Sequence, residues 1–134
     1  MFESSSATQW EKRGDITFIR FKVDKITELA YATQAGKELN TLAERIGGKM
    51  ILNLSNVKFM ASVGIALVVN LNRSLRARGG QLKVCEVFPL LMGIFATTGL
   101  AAVLDIFPTE ALAAASFRKP QASAADGGQA GSAP

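Results

Sequence analysis

Histidine is absent from this 134-residue chain, and cysteine occurs once. The first absence removes the usual general base at neutral pH and the commonest zinc ligand. The second excludes an internal disulfide, fits a reducing compartment such as the cytoplasm, and leaves a metal site or a nucleophilic dyad almost without raw material. No cofactor, metal or catalytic residue is therefore expected. Aromatic residues make up 7% of the chain, and no basic run is interleaved with them. The net charge is +4, but the basic residues are scattered, the densest group being Arg73, Arg76 and Arg78. That distribution argues against nucleic-acid binding. An uninterrupted apolar span is missing too. The stretch 87–104 carries no charge and is long enough to cross a bilayer, but Pro89, Gly93, Thr97, Thr98 and Gly99 break it. Membrane insertion is not expected. The start, Met1-Phe-Glu-Ser-Ser-Ser, has neither the basic nor the apolar part of a secretory signal.

What is present is an ordinary globular composition, 49% hydrophobic and 19% charged, at the length of one domain. Met1–Ala7 is small and polar and reads as a frayed end. Thr8–Arg13 reads as a short edge strand and the alternating Ile16–Val23 as a second strand, joined at Gly14-Asp15, an order that suits a type II′ turn. Thr27 is placed as the cap of a helix whose apolar face is Leu29, Ala32, Ala35, Leu39, Leu42, Ala43 and Ile46. Glu38 and Glu44 fall on its solvated side, beside Lys37 and Arg45. Gly47-Gly48 ends it. Met50–Leu54 is nearly continuous in apolar residues, as in a strand covered on both faces. Val63–Arg78 is a second helix, with Ala66, Leu67, Val68 or Val69, Leu71 and Leu75 facing inward, stopped by Gly79-Gly80. Gln81–Glu86 is another interior strand, in which Cys85 reads as a small core residue. Pro89 opens a short helix to about Thr97. Val103–Ile106 reads as a short edge strand, and a last helix runs from Pro108 to about Phe117. Residues 118–134 lack apolar periodicity and read as a disordered tail. Strands alternating with helices predict an α/β domain over 8–117: a small mixed sheet of four to five strands, parallel at its centre, with about four helices.

The focal stretch is Met50–Gly64, where a buried strand feeds a loop that delivers Ser62 to the start of a helix. A serine there can be a plain N-cap. It can also be a phosphorylation site, because helix N-terminal amides and the positive dipole end tolerate a phosphate, while the outer surface gains about two negative charges.

The run from Ile51 to Asn70, then Arg76-Ala-Arg-Gly-Gly-Gln-Leu-Lys-Val, Thr98-Gly-Leu and Asp105-Ile-Phe-Pro, resembles the STAS domain, and within it the bacterial anti-sigma factor antagonists. The likeness covers roughly Thr8–Phe117. It implies the family fold and a non-enzymatic regulator. Unphosphorylated, such a protein binds an anti-sigma factor that is also an ATP-binding serine kinase, and so frees a sigma factor. Ser62 falls on the family's phosphoacceptor position and Gly64 on its glycine. Ala61 stands in place of the usual aspartate, and Val63 in place of a second hydroxyl residue. The expected partner-binding residues are Lys58, Phe59, Met60, Ala61, Val63, Gly64 and Ile65. The charge-free helix after Pro89 is expected to add Leu91, Met92 and Phe95 as partly exposed contacts, to a partner or to a second copy through residues 90–96. The alternative is a STAS subunit of a stress-signalling complex or a membrane transporter system.

Overall fold

The computed structural model describes residues 3–118. Its strands are β1 (Glu3–Ser4), β2 (Thr8–Arg13), β3 (Ile16–Phe21), β4 (Lys25–Ile26), β5 (Lys49–Asn53), β6 (Phe59–Met60), β7 (Gln81–Cys85) and β8 (Asp105–Phe107). Its helices are α1 (Leu29–Arg45), α2 (Ser62–Ala77), α3 (Pro89–Thr97) and α4 (Glu110–Arg118), with a 3₁₀ turn at Leu100–Ala102. The main sheet has six strands in the order β1-β2-β3-β5-β7-β8, and β4 with β6 forms a separate two-stranded parallel pair. The architecture is the mixed α/β one expected, with more strands. The two-residue strands β1, β4 and β6 are too short to show any periodicity.

Sheet order dictates the layers. From β3 through β5 and β7 to β8 the strands are parallel and advance in one direction. Right-handed crossovers then place every connecting helix on the same face. The large core follows: Met50 and Leu52 of β5 and Leu82 and Val84 of β7 pack against residues of α1, α2 and α3. The alternate residues Ile16, Phe18, Ile51 and Cys85 face the other way, into a smaller core closed by Ala113, Ala114 and Phe117 of α4. Lys83 on that face is nearly buried. Its Nζ lies 4.7 Å from the Phe117 ring centroid and 5.3 Å from that of Phe107, and 3.4 Å from an Asp105 carboxylate oxygen. No helix among the described residues is long and apolar enough to cross a membrane.

The helix stops do more than end helices. Gly47 and Gly79 have φ of +61° and +80°, where glycine is strongly favoured. Gly80 lies against Gly48, so that a Cβ on Gly80 would sit 2.5 Å from the Gly48 carbonyl oxygen. The same carbonyl accepts the Gln81 N–H at 2.9 Å. The turns leaving α1 and α2 are thereby locked together as β5 and β7 begin side by side.

Several expectations need correction. The start of the chain is not frayed where it is described: Glu3–Ser4 pairs with Gln9–Trp10, so β2 is not an edge, and Ala7 is buried. Glu38 holds it there. Its carboxylate accepts the Ala7 N–H at 3.0 and 3.2 Å and the Thr8 hydroxyl at 2.7 Å, with Gln34 Nε2 at 2.9 Å. The Tyr31 hydroxyl donates to the Ala7 carbonyl. Glu38 is thus a tether between α1 and the β1–β2 corner, not a partner of Lys37, and Glu44 pairs with Arg78 at 3.4 Å rather than with Arg45. The cap of α1 is Glu28, not Thr27, without a side-chain cap bond. Leu29 (69% exposed) and Ala66 face solvent, because the buried stripe of each helix is narrower than its apolar one. Arg118 belongs to α4, and the rest of the expected tail, 119–134, lies outside the described residues.

Two outcomes follow from these contacts. Gly80→Ala meets backbone that no rotamer can relieve and should lower the unfolding free energy by about 2 kcal/mol in urea denaturation. Gly93→Ala on α3, with nothing within 4 Å of its added Cβ, should raise it by about 0.5 kcal/mol. Burial works against the Glu38 carboxylate, yet its hydrogen bonds from Gln34, Thr8 and Ala7 together hold its pKa below the ordinary 4.5. A lowered pKa stabilises the fold above the unfolded value and is lost as pH falls through the folded one. The protection factor of the Ala7 amide against hydrogen exchange should therefore fall selectively as pH drops below 4.5, and this pH dependence should vanish in Glu38→Gln.

Candidate functional site

The loop that carries Ser62 is built by hydrogen bonds from both sides. Leaving β5, the Leu54 N–H donates to the Cys85 carbonyl at 3.0 Å, and the Val57 N–H turns back to Leu54 at 3.0 Å. Asn56 Nδ2 reaches the Phe21 carbonyl at 3.2 Å. The chain then runs parallel to β4, with Lys58 N–H on the Asp24 carbonyl at 2.7 Å and Ala61 N–H on the Ile26 carbonyl at 2.9 Å. Leu54, Val57, Ile26 and Met60 are all buried beneath this pair. The loop is therefore a fixed platform rather than a free connection.

Gly64 closes the platform. A Cβ there would lie 3.0 Å from Met60 Cβ and Cγ and 3.1 Å from Ile26 Cβ. The first turn of α2 can sit this low on the β4–β6 pair only because residue 64 has no side chain. Ser62 is then the first residue of α2 and is exposed. The cap is Ala61, and no side-chain cap bond is made. The capping role open to Ser62 on sequence alone is not the one it plays. Its hydroxyl faces solvent at the end of a helix whose first turn contains no acidic residue. No acid of that turn offsets the positive dipole end.

The remaining expected residues divide by accessibility. Lys58 and Phe59 are exposed, and Ala61, Val63 and Ile65 half-buried, on the rim around Ser62. Met60 and Gly64 are buried and shape the loop from below. The α3 expectation is corrected: Leu91 and Phe95 are fully buried, in the core with Leu100 and Leu104. They stand four residues apart on the inner face of a helix whose apolar residues run all the way round, so composition could not show which stripe turns inward. Leu90 is the exposed one, at 63%, with Met92 and Ile94 half-buried. Sequence reasoning missed Leu90, and only the phase of the helix identifies it. α3 packs against β6, the strand that leads into Ser62.

Elsewhere the chemistry is sparse. The Cys85 thiol is buried, and burial, with the Glu110 and Glu86 charges adding to it, pushes its pKa up to about 12. Glu86, at φ +57°, accepts the Glu110 N–H at 3.2 Å and so serves the start of α4. Among the described residues no group of three or more acidic, Cys or His side chains could hold a metal ion. A cleft of about 530 Å³ lies between β1, β2 and α1, lined by residues such as Trp10, Glu38 and Arg45, none of them from the Ser62 loop.

The fold and the serine at the head of α2 define the class of protein. Residues 6–113 match the STAS domain model, and the chain belongs to that family. A provisionally named anti-sigma factor antagonist of Bordetella bronchiseptica, BtrV, is 25% identical over 93 residues, which are 69% of this chain and 80% of that protein. The phosphorylated form of the Bacillus cell fate determinant SpoIIAA superposes with a TM-score of 0.64 at 23% identity, covering 83% of this chain and 99% of that one. A sulfate transporter family protein from Wolinella succinogenes gives 0.65 at 15% identity, covering 80% of this chain and 91% of that one. These two structures share the fold.

The platform itself can be tested. Gly64→Ala should force the first turn of α2 off the β4–β6 pair. Heteronuclear NMR should show amide shifts concentrated at residues 59–65, with a loss of about 1–2 kcal/mol in stability. Shifts confined to residue 64 and its immediate neighbours would mean that the turn is not held by contact.

Proposed function

We propose that this protein is an anti-sigma factor antagonist. Unphosphorylated, it binds an anti-sigma factor of the ATP-binding serine kinase type and so releases a sigma factor. Phosphorylation of Ser62 by that kinase ends the binding. The observation that carries this reading is the position of Ser62: exposed, free of a capping bond, and fixed on a hydrogen-bonded loop at a helix N-terminus whose first turn holds no acid. A phosphate there meets main-chain N–H groups and the dipole, so the fold tolerates it. The docking rim, in contrast, changes by about two charges. That rim is Lys58, Phe59, Ala61, Val63 and Ile65, with Met60 and Gly64 holding its shape and Met92 and Leu90 extending it. The reading needs no catalytic residue and no cofactor in this chain, and it places the protein in the cytoplasm, where a sigma factor acts. Ala61 lacks the negative charge that the family usually carries beside the phosphoacceptor, so the change of charge at Ser62 is the larger part of the switch.

A second reading, a STAS subunit of a larger assembly or a homodimer through residues 90–96, is favoured by one feature. Leu90 and Val103 are both more than half exposed on a stretch, 87–104, that carries no charge. Both readings meet one experiment. Ser62→Asp should weaken capture of a kinase-type anti-sigma factor by about tenfold or more, and Ser62→Ala should retain capture but take no phosphate from kinase and ATP. Phosphate appearing elsewhere, with none on Ser62, sinks the switch. Equal capture by both variants, together with self-association lost in Leu90→Lys by sedimentation velocity, supports the assembly reading.

A further inference from the structure

We infer that the groove between α1 and α2 is a second docking site, built for an amphipathic helical segment of a partner that carries acidic residues along its flank. The inference rests on the docking reading above for its link to Ser62, while the groove stands on its own geometry. Its volume is about 330 Å³, and its apolar walls come from Leu29, Ala32 and Gly36 on α1 and Val63, Ala66 and Leu67 on α2. From Leu29 to Asn40 it runs roughly 16 Å, about three helical turns. That length suits apolar anchors at i, i+3 or i+4, and i+7 of a bound helix.

Two features say that the groove is unfinished as it stands. Leu29 and Ala66 continue the apolar faces of their helices but lie outside the core, on the solvent side of the groove. Gly36 leaves a gap in the α1 wall, in the middle of a helix, where glycine weakens the structure and alanine would be the better residue. A Cβ at Gly36 would touch only Leu67 Cδ1, at 3.4 Å, so the missing side chain is not required for the two helices to meet.

The charges choose the occupant. Lys37 is the one charged residue lining the groove. Arg73 stands next along the α2 ridge that Ala66 and Asn70 begin, at i+4 and i+7. Among the described residues neither cation has an ion-pair partner, whereas Glu44, the acid nearest the far end of α1, is already held by Arg78. An acidic flank on the bound helix would satisfy both cations and a basic one would be repelled. At its other end the groove starts at Val63, the residue after Ser62. A phosphate on Ser62 puts negative charge at the groove mouth, against an apolar anchor and an acidic flank alike.

The test uses the full chain and two synthetic helical peptides of about sixteen residues with the same leucine spacing, one flanked by Glu and one by Lys. By NMR the Glu peptide should shift the Thr33, Gly36, Ala66 and Asn70 amides and bind about tenfold more tightly than the Lys peptide. Gly36→Met should fill the groove, leave the melting temperature equal or higher, and abolish binding. Lys37→Glu combined with Arg73→Glu should reverse the preference. Equal binding of the two peptides, shifts outside the groove, or an unaffected Gly36→Met overturns the inference. The two proposals fail separately. If Ser62→Asp releases a captured anti-sigma factor while the groove variants hold it normally, the groove is not the site and the switch stands. If the groove variants lose the Glu peptide and Ser62→Asp binds it unchanged, the groove stands and its control by Ser62 does not.

Discussion

The missing side chain at Gly64 decides where Ser62 can be. With Met60 and Ile26 at 3.0–3.1 Å from any added Cβ, α2 begins in contact with the β4–β6 pair. That pair is in turn fixed by its bonds to the segments leaving β3 and β5. The serine is therefore tied, through a few residues, to the centre of the parallel sheet. A group held this way presents the same hydroxyl geometry to every partner. A change in its charge then acts on the docking surface instead of being absorbed by loop motion.

Electrostatics follows from that placement. No acid occupies the first turn of α2, and its N-cap residue makes no side-chain bond to the first amides. On the opposite face of the sheet the acids are engaged in holding the structure. Glu86 binds the first amide of α4, Glu110 accepts from Asn53 at 3.1 Å, and Asp105 sits beside Lys83. Negative charge is thus engaged on the α4 side and at the N-terminal tether, whereas the first turn of α2 carries none and the one charged residue lining the α1–α2 groove is Lys37.

The central fold was legible because its elements are long enough to show a period. β3, β5 and β7 and the buried faces of α1 and α2 follow from alternation, continuous apolarity and three-to-four spacing. The strands that build the platform were not legible. β4 and β6 have two residues each, and only pairing between residues 25–26 and 59–60 makes them strands. The site was half legible. The strand–loop–serine–glycine order pointed to Ser62 and Gly64, but whether the hydroxyl capped the helix depended on which residue, 61 or 62, took the cap position. Glu38 was misread for a related reason: its ligands are the Ala7 amide and the Thr8 hydroxyl, thirty residues distant, and local charge spacing offers Lys37 instead.

The errors in apolar phase are informative about surface. The apolar pattern puts Leu29 and Ala66 inside and Leu91 and Phe95 at the surface, and the structure has each the other way. Each follows from apolar residues in excess of what the core face holds. On α3 the excess emerges at Leu90, which faces solvent. On α1 and α2 it emerges as the walls of the groove that opens at Val63. The second of these faces begins at the residue after the serine. A charge change at Ser62 therefore sits at the mouth of an apolar groove, where excluding water makes an unpaired phosphate costly to cover.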